Sequence, residues 1–216
     1  MDKNILIVIG SPGFERSNSN VISNNLEDKL NNKNINCSKL YLGKIINEKS
    51  TIIDNINKSD VIILISPIYE NSVPSTVLEF FEKIDENKNS LTIKKIKMFV
   101  ITNSGFPEIQ AGKSAITTCS LFARDMNFKW LGGINIAPGT LIDGGELGKT
   151  YKKLISALNL IAEDICADKE ISKEVFKLAA KSFISPIIYR FWGRIIQNKT
   201  IKNIGKDAFF AKPLKI

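Results

Sequence analysis

Five consecutive apolar residues at positions 5–9 lead directly into a turn that is rich in glycine, proline, serine and asparagine. A continuous run of this kind, mostly β-branched, predicts a strand that is buried on both of its faces. After the turn, Val21, Leu26 and Leu30 recur at helical spacing. Backbone N–H groups, a helix dipole and short hydroxyls converge in such a turn, which favours phosphate binding. Serine and asparagine also cap helices without any ligand, so this simpler interpretation stays open here.

The same pattern continues along the chain. Four more segments are typical of strands, at residues 35–42, 60–67, 96–102 and 130–136. Helical spacing follows the strands at residues 21–30, 51–57, 74–84, 109–126 and 146–166. Five strands that alternate with five helices predict an α/β fold, in which helices cover both faces of a parallel sheet.

Composition limits the chemistry that the chain can perform. The 216 residues suit one domain with at most an appendage, and no signal peptide or bilayer-spanning segment is recognisable, so we expect a cytoplasmic protein. The chain has no histidine, which excludes imidazole acid–base chemistry and most zinc sites. Its three cysteines are far apart, so no disulfide framework, metal site or iron–sulfur cluster is predicted. If the chain is an enzyme, we expect a cofactor to carry the difficult step.

Three turns stand where predicted strands end, at residues 11–20, 67–72 and 103–106. In open parallel sheets, ligands bind beyond the carboxyl ends of the strands, close to the point where the strand order reverses. The first, third and fourth strand-to-helix turns are therefore expected to form one site.

These turns carry a resemblance to a known group of proteins. The segments are Gly10-Ser11-Pro12 with residues 16–19, residues 66–69 with Val73-Pro74, and residues 103–108. Over about residues 4–166 the chain resembles the flavodoxin-like flavoproteins, and within them the NADPH-dependent FMN reductases and NAD(P)H:quinone reductases. The resemblance implies a three-layer α/β/α sandwich with a five-stranded parallel sheet of order 2-1-3-4-5.

The resemblance also implies a function. FMN would accept hydride from NADH or NADPH and pass the electrons to a small acceptor, such as a quinone, a nitro or azo compound, or a free flavin. A homodimer or homotetramer is expected. Two alternatives remain: a flavodoxin-type electron carrier, and a protein of the same fold that binds no cofactor. Flavodoxins are typically acidic, whereas this chain has a pI of about 9.3, which disfavours the carrier.

By the same resemblance, each turn has its own part of the cofactor. The phosphate would be held by Ser11, Arg16, Ser17, Asn18 and Ser19. One side of the flavin ring would be lined by Pro67, Ile68, Tyr69, Glu70, Asn71 and Ser72. The opposite wall would consist of Asn103, Ser104, Gly105 and Phe106. No catalytic side chain is predicted, since the hydride chemistry belongs to the flavin.

Some of these positions have simpler interpretations. Arg16 is also consistent with a solvated loop residue, Tyr69 with an aromatic on the rim, and Phe106 with a side chain in the core. Glu15 brings a negative charge next to the expected phosphate, so it has to point away from the site.

The end of the chain differs in charge from the rest. Residues 1–168 hold 19 basic and 19 acidic residues, whereas residues 169–216 hold 11 basic and 3 acidic ones. This change predicts a flavodoxin-like domain at residues 1–168 and a basic, apolar-rich helical extension at residues 169–216. Pro186 should divide the extension into two helices. Packing on the chain's own domain or on a second subunit is the favoured cover for its apolar residues. Membrane-surface contact and a lid over the flavin are alternatives, and no motif indicates nucleic-acid binding.

Overall fold

All five strands join one parallel sheet. The computed structural model describes residues 3–92, 95–139, 142, 147–148, 151–182 and 185–211. The strands are β1 Asn4–Ile9, β2 Asn36–Tyr41, β3 Val61–Pro67, β4 Lys97–Asn103 and β5 Lys129–Ile136. Their order in the sheet is β2-β1-β3-β4-β5. This confirms the predicted topology, in which the strand order reverses between β1 and β3.

Helices connect the strands and follow the last one. They are α1 Asn18–Asn31, α2 Leu42–Ile45, α3 Lys49–Lys58, α4 Ser75–Glu86, α5 Lys113–Asp125, α6 Lys152–Cys166, α7 Lys173–Ala179, α8 Pro186–Ile204 and α9 Lys206–Phe210. Among the described residues, none of these helices has the length and hydropathy needed to cross a membrane.

Alternate residues of the central strands pack in two separate hydrophobic cores. Ile5, Ile7 and Ile9 of β1 pack in the core that includes residues of α1 and α6. Leu6 and Val8 pack in the second core, together with residues of α3, α4 and α5. Because both faces of the strand are buried, its sequence shows a continuous apolar run rather than an alternating one.

Two predicted helices begin later than expected. The segment from residue 109 starts as a 3-10 turn, Ile109–Gly112, before α5 begins. A methyl group on Gly112 would approach the Cβ of Asn135 to 2.4 Å, and the Asn135 side chain also donates to the Ile109 carbonyl at 3.1 Å. These contacts hold the segment against β5. The helix expected from residue 146 is α6, which begins at Lys152; residues 143–146 and 149–150 lie outside the described part of the chain.

The chain divides into two compact units, residues 1–183 and 184–216. Helix α7 belongs to the first unit, since Val175 and Ala179 are buried in the core that also holds α6. The change in charge placed the boundary at residue 168, ahead of α7. Helix α8 starts with Pro186, at the position where a proline should separate two helices.

A glycine in β5 makes the packing of α7 possible. Gly132 has a φ of +116°, and a Cβ at this position would lie 2.6 Å from the Cζ atom of Phe176. The strand is irregular here, with a register shift opposite Met98 and Phe99. Gly132 therefore satisfies both an unusual backbone conformation and a close approach of the Phe176 ring.

We predict that Gly132→Ala lowers the free energy of unfolding of the first unit by about 1–3 kcal/mol, because it adds backbone strain and overpacking. Urea denaturation followed by circular dichroism measures this change. Gly148→Ala is the matched control: an added methyl group there meets nothing within 4 Å, and the variant should unfold like the unmodified protein. Equal stability of the two variants would contradict the close packing of α7 on β5.

Candidate functional site

A cavity of about 700 Å³ lies where the loops after β1, β3 and β4 meet. The lining residues all come from these three loops and the start of α1: Ser11, Pro12, Gly13, Arg16, Ser17, Asn18, Ser19, Pro67, Ile68, Tyr69, Asn103, Ser104 and Gly105. The loops flank the reversal of strand order between β1 and β3. This is the position where open α/β sheets bind their ligands.

The loop after β1 brings one end of the cavity close to a helix N-terminus. Gly10 is packed so tightly that a Cβ would lie 2.5 Å from the Cγ2 of Val77. Ser17 caps α1, since its Oγ accepts from the Asn20 N–H at 3.2 Å. Arg16 ends the short 3-10 turn Phe14–Arg16 and is exposed at the cavity. A guanidinium beside a helix N-terminus favours an anion at this end of the cavity.

Glu15 does not add a negative charge to the cavity. Its side chain is exposed and forms an ion pair with Lys44, and it is not among the residues that line the cavity. The hydrogen bond from Lys44 holds the pKa of Glu15 below its ordinary value. The carboxylate therefore stays ionised and paired outside the site, as an anion site next to it requires.

Asn20 and Tyr41 help to fix this loop, although neither is among the predicted site residues. Asn20 is buried; its Nδ2 donates to the Glu15 carbonyl at 2.9 Å, and its Oδ1 accepts from the Tyr41 hydroxyl at 2.8 Å. Asn103 of β4 donates from its Nδ2 to Ser19 Oγ at 2.9 Å. These bonds connect positions 21 and 84 residues apart in sequence, so no local pattern indicates them.

The loop after β3 contributes only its first part to the cavity. Residues 69–72 form a tight hairpin: Tyr69 and Ser72 exchange two backbone hydrogen bonds of 2.9 Å, and Glu70 and Asn71 have φ values of 48° and 63°. The chain reverses at Tyr69, so Glu70, Asn71 and Ser72 are not among the lining residues, in contrast to the expectation. Tyr69 is 53% exposed on the rim.

The loop after β4 forms the facing wall. Asn103, Ser104 and Gly105 line the cavity, and the Asn103 carbonyl accepts from the Ile68 N–H at 2.9 Å, which ties this loop to the previous one. Phe106 was expected in the wall or in the core. It is in neither: its side chain is 67% exposed and does not line the cavity.

Residues beyond β5 support this wall, although no pattern in the sequence indicates them. The Gly139 carbonyl accepts from Asn18 Nδ2 at 2.9 Å, and the Gly139 N–H donates to the Ser104 carbonyl at 2.6 Å. The buried Tyr151 donates its hydroxyl to the Pro138 carbonyl at 3.0 Å. The start of α1 and the end of β4 are therefore both joined to the segment at residues 138–139.

The lining residues suit binding rather than acid–base or nucleophilic chemistry. The described residues that line the cavity supply hydroxyl and amide groups, one guanidinium and one phenol, and none of them carries a carboxylate or a thiol. The cysteines lie elsewhere, and burial raises the pKa of Cys37 to about 11 and that of Cys119 to about 12. Thiols with such values stay protonated near neutral pH and are poor nucleophiles.

Comparison with known proteins agrees with this architecture. Residues 3–137 match the family model of the flavodoxin-like fold, and the chain belongs to this family. No curated protein matches its sequence.

Three solved structures illustrate the likeness. An NADH:FMN oxidoreductase in its apo form has a TM-score of 0.59 at 12% identity, over 84% of this chain and 95% of that one. An NAD(P)H:quinone oxidoreductase from Methanothermobacter marburgensis has a TM-score of 0.59 at 11% identity, over 76% and 96%. An FMN-dependent NADH-azoreductase from Bacillus anthracis, in complex with FMN, has a TM-score of 0.52 at 11% identity, over 77% and 99%. At these identities the likeness shows a shared fold.

We predict that Tyr151→Phe lowers the free energy of unfolding by about 1–3 kcal/mol at pH 7, because the Pro138 carbonyl loses its buried donor. Burial raises the pKa of Tyr151 to about 12. The stabilisation is therefore complete below the ordinary tyrosine pKa of about 10 and is lost as the pH rises toward 12. Urea denaturation at several pH values tests both points.

Tyr69→Phe is the control for this measurement, since Tyr69 is an exposed tyrosine. Its replacement should change the stability by less than about 0.5 kcal/mol. A Tyr151→Phe variant as stable as this control would contradict the supporting role of the Tyr151 hydroxyl.

Proposed function

We propose that this protein is an FMN-dependent oxidoreductase. It would transfer hydride from NADH or NADPH through bound FMN to a small acceptor, such as a quinone, a nitro or azo compound, or a free flavin. The observation that carries the proposal is the cavity itself, which has a guanidinium and a helix N-terminus at one end, neutral walls from two other loops, and no carboxylate or thiol among the lining residues that the structure describes.

The residues present fit the cofactor. A volume of about 700 Å³ lies within the range of about 300–1,000 Å³ that is usual for small-molecule sites. Arg16 and the start of α1 would hold the FMN phosphate, together with Ser11, Ser17, Asn18 and Ser19. The ring would lie between residues 67–69 and residues 103–105. The family resemblance also assigned four other residues to the ring, but these do not line the cavity: Glu70, Asn71, Ser72 and Phe106.

The work of the chain's own residues is positioning. When bound, FMN supplies the hydride-accepting ring. Arg16 and the α1 N-terminus anchor the phosphate and so fix the position of the ring along the cavity. Ile68 and Pro67 present an apolar wall that excludes water on one side, and the buried Asn103 side chain keeps the opposite loop in register with α1 through Ser19.

Several finer features belong to the same proposal. NADH and NADPH are equally compatible donors, and the acceptor is any small oxidant that reaches the exposed rim at Tyr69. We also propose a homodimer or homotetramer located in the cytoplasm. Family resemblance supports the assembly.

We predict that Arg16→Ala weakens FMN binding about 10- to 100-fold, because a charge-assisted hydrogen bond to the phosphate is lost. Riboflavin has the same ring without the phosphate, so its affinity should change little. Fluorescence titration of the apoprotein with both flavins measures the two effects. Arg124→Ala is the matched control, since Arg124 is exposed on α5 and pairs with Asp125. An equal loss for FMN and riboflavin would contradict the assignment of the phosphate end.

The second prediction concerns the reaction. Protein loaded with FMN should show the visible spectrum of oxidised flavin, and NADH or NADPH should bleach it rapidly in anaerobic stopped-flow experiments. A quinone or azo dye added afterwards should restore the colour. Tight FMN binding with slow bleaching by both donors would instead favour a flavodoxin-type electron carrier. A protein that stays colourless with added FMN would refute both functions.

A further inference from the structure

Helix α8 presents a continuous apolar face. Its members recur three and four residues apart, which places them on one side of the helix: Ile187, Ile188, Phe191, Trp192, Ile195 and Ile196. Their side chains are between 45% and 78% exposed. Exposed apolar area on this scale marks a surface that contacts another molecule or a membrane.

Over residues 187–198, the face of α8 opposite the apolar residues is polar and basic; further along the helix, Ile204 also lies on this side and is 53% exposed. At 3.6 residues per turn, Arg190, Arg194 and Gln197 lie on the side away from the apolar residues. Beyond residue 196 the line of the apolar face continues with Lys199 and Lys202, so this end of the helix is basic as well. Residues 184–216 contain seven basic residues and one acidic residue, Asp207. Apolar side chains are thus combined with a strong positive charge.

The charge distinguishes between the surfaces that this face could contact. In a parallel pair of α8 helices packed on this face, Lys199 and Lys202 would approach the same residues of the second copy, and Asp207 is the one acidic residue at positions 184–216 that could reduce the repulsion. A lipid bilayer with anionic headgroups provides both an apolar interior and a complementary charge. Tyr189 lies at the border between the apolar and polar faces, and Trp192 lies within the apolar face; amphipathic aromatic rings of this kind suit the headgroup level.

We propose that α8 binds in the plane of an anionic lipid bilayer. The apolar face at residues 187–196 would enter the boundary between headgroups and acyl chains, and Arg190, Arg194, Lys199 and Lys202 would contact the phosphate headgroups. This inference rests on α8 alone and does not depend on the proposed oxidoreductase activity. The contact is peripheral, since none of the described helices is suited to span a membrane.

The test uses the full-length chain and two kinds of vesicle, one of phosphatidylcholine and one of phosphatidylcholine mixed with phosphatidylglycerol. In flotation assays at low salt, the chain should rise with the anionic vesicles and largely stay behind with the neutral ones. Added salt should release it, because screening weakens the headgroup contacts. The Trp130→Phe variant leaves Trp192 as the sole tryptophan, and its emission should shift to shorter wavelength on the anionic vesicles.

Variants separate the two contributions to binding. Trp192→Ala should weaken the partition about ten-fold or more, because a large apolar side chain no longer enters the lipid. Arg190→Gln and Arg194→Gln should each weaken it about five-fold on anionic vesicles. Gln197→Ala, on the polar face, is the matched control and should bind like the unmodified chain. Circular dichroism verifies that every variant remains folded.

Three results would overturn the proposal. The first is equal partition onto neutral and anionic vesicles, or onto neither. The second is a dimer in sedimentation equilibrium that Trp192→Ala dissociates, since α8 would then pair with a second copy. The third is tight binding to a DNA or RNA duplex without binding to anionic vesicles. The flavin spectrum is recorded separately, so failure of membrane binding does not affect the test of FMN binding.

Discussion

Burial of β1 and β3 on both faces is the constraint from which the rest of the structure follows. Residues 5–9 and 61–65 are at most 1% exposed, and each large aliphatic side chain contributes about 1.5–3 kcal/mol when fully buried. Strands buried in this way need helices on both sides, and parallel pairing brings their carboxyl ends to one edge of the sheet. The loops after β1, β3 and β4 consequently surround one cavity, and the polar residues that the core excludes are concentrated in its walls.

The sequence predicted the parts of the fold that depend on this burial. Continuous apolar runs located β1, β3 and β4, and the ends of these strands located the three loops of the candidate site. The predictions for β2 and β5 rested on the segments at residues 35–42 and 130–136, which are less continuously apolar. The backbone conformation of these loops was harder to predict from the sequence. The hairpin at residues 69–72 requires positive φ at Glu70 and Asn71. Glutamate seldom adopts positive φ, so its presence at position 70 does not predict this conformation. Resemblance assigns ring contacts to the whole of this hairpin, whereas of residues 69–72 Tyr69 alone lines the cavity.

Long-range polar contacts were the second feature that sequence could not supply. Asn20, Asn135 and Tyr151 hold the walls of the cavity through hydrogen bonds to segments that are distant in the sequence. An isolated asparagine in a helix or strand looks like a surface residue, and only the folded chain shows that it is buried. Helix α7 gives a related example. The change in charge at residue 169 reflects only the composition of the chain, whereas the packing of Phe176 against Gly132 determines the position of the helix.

The distribution of charge differs between the two parts of this chain. Each of the two proposals depends on one of these distributions. Basic and acidic residues are balanced in residues 1–168, and Glu15 is paired with Lys44, so the proposed recognition of a phosphate in the cavity would rely on Arg16 and the helix N-terminus at short range. Within residues 185–211, five basic side chains and one acidic side chain are exposed, and this excess of positive charge acts over longer distances. Screening over about 8 Å at physiological ionic strength weakens the second kind of interaction more than the first. Membrane contact should therefore respond to salt well before the phosphate contact of Arg16 does, which makes ionic strength a means of separating the two activities within one chain.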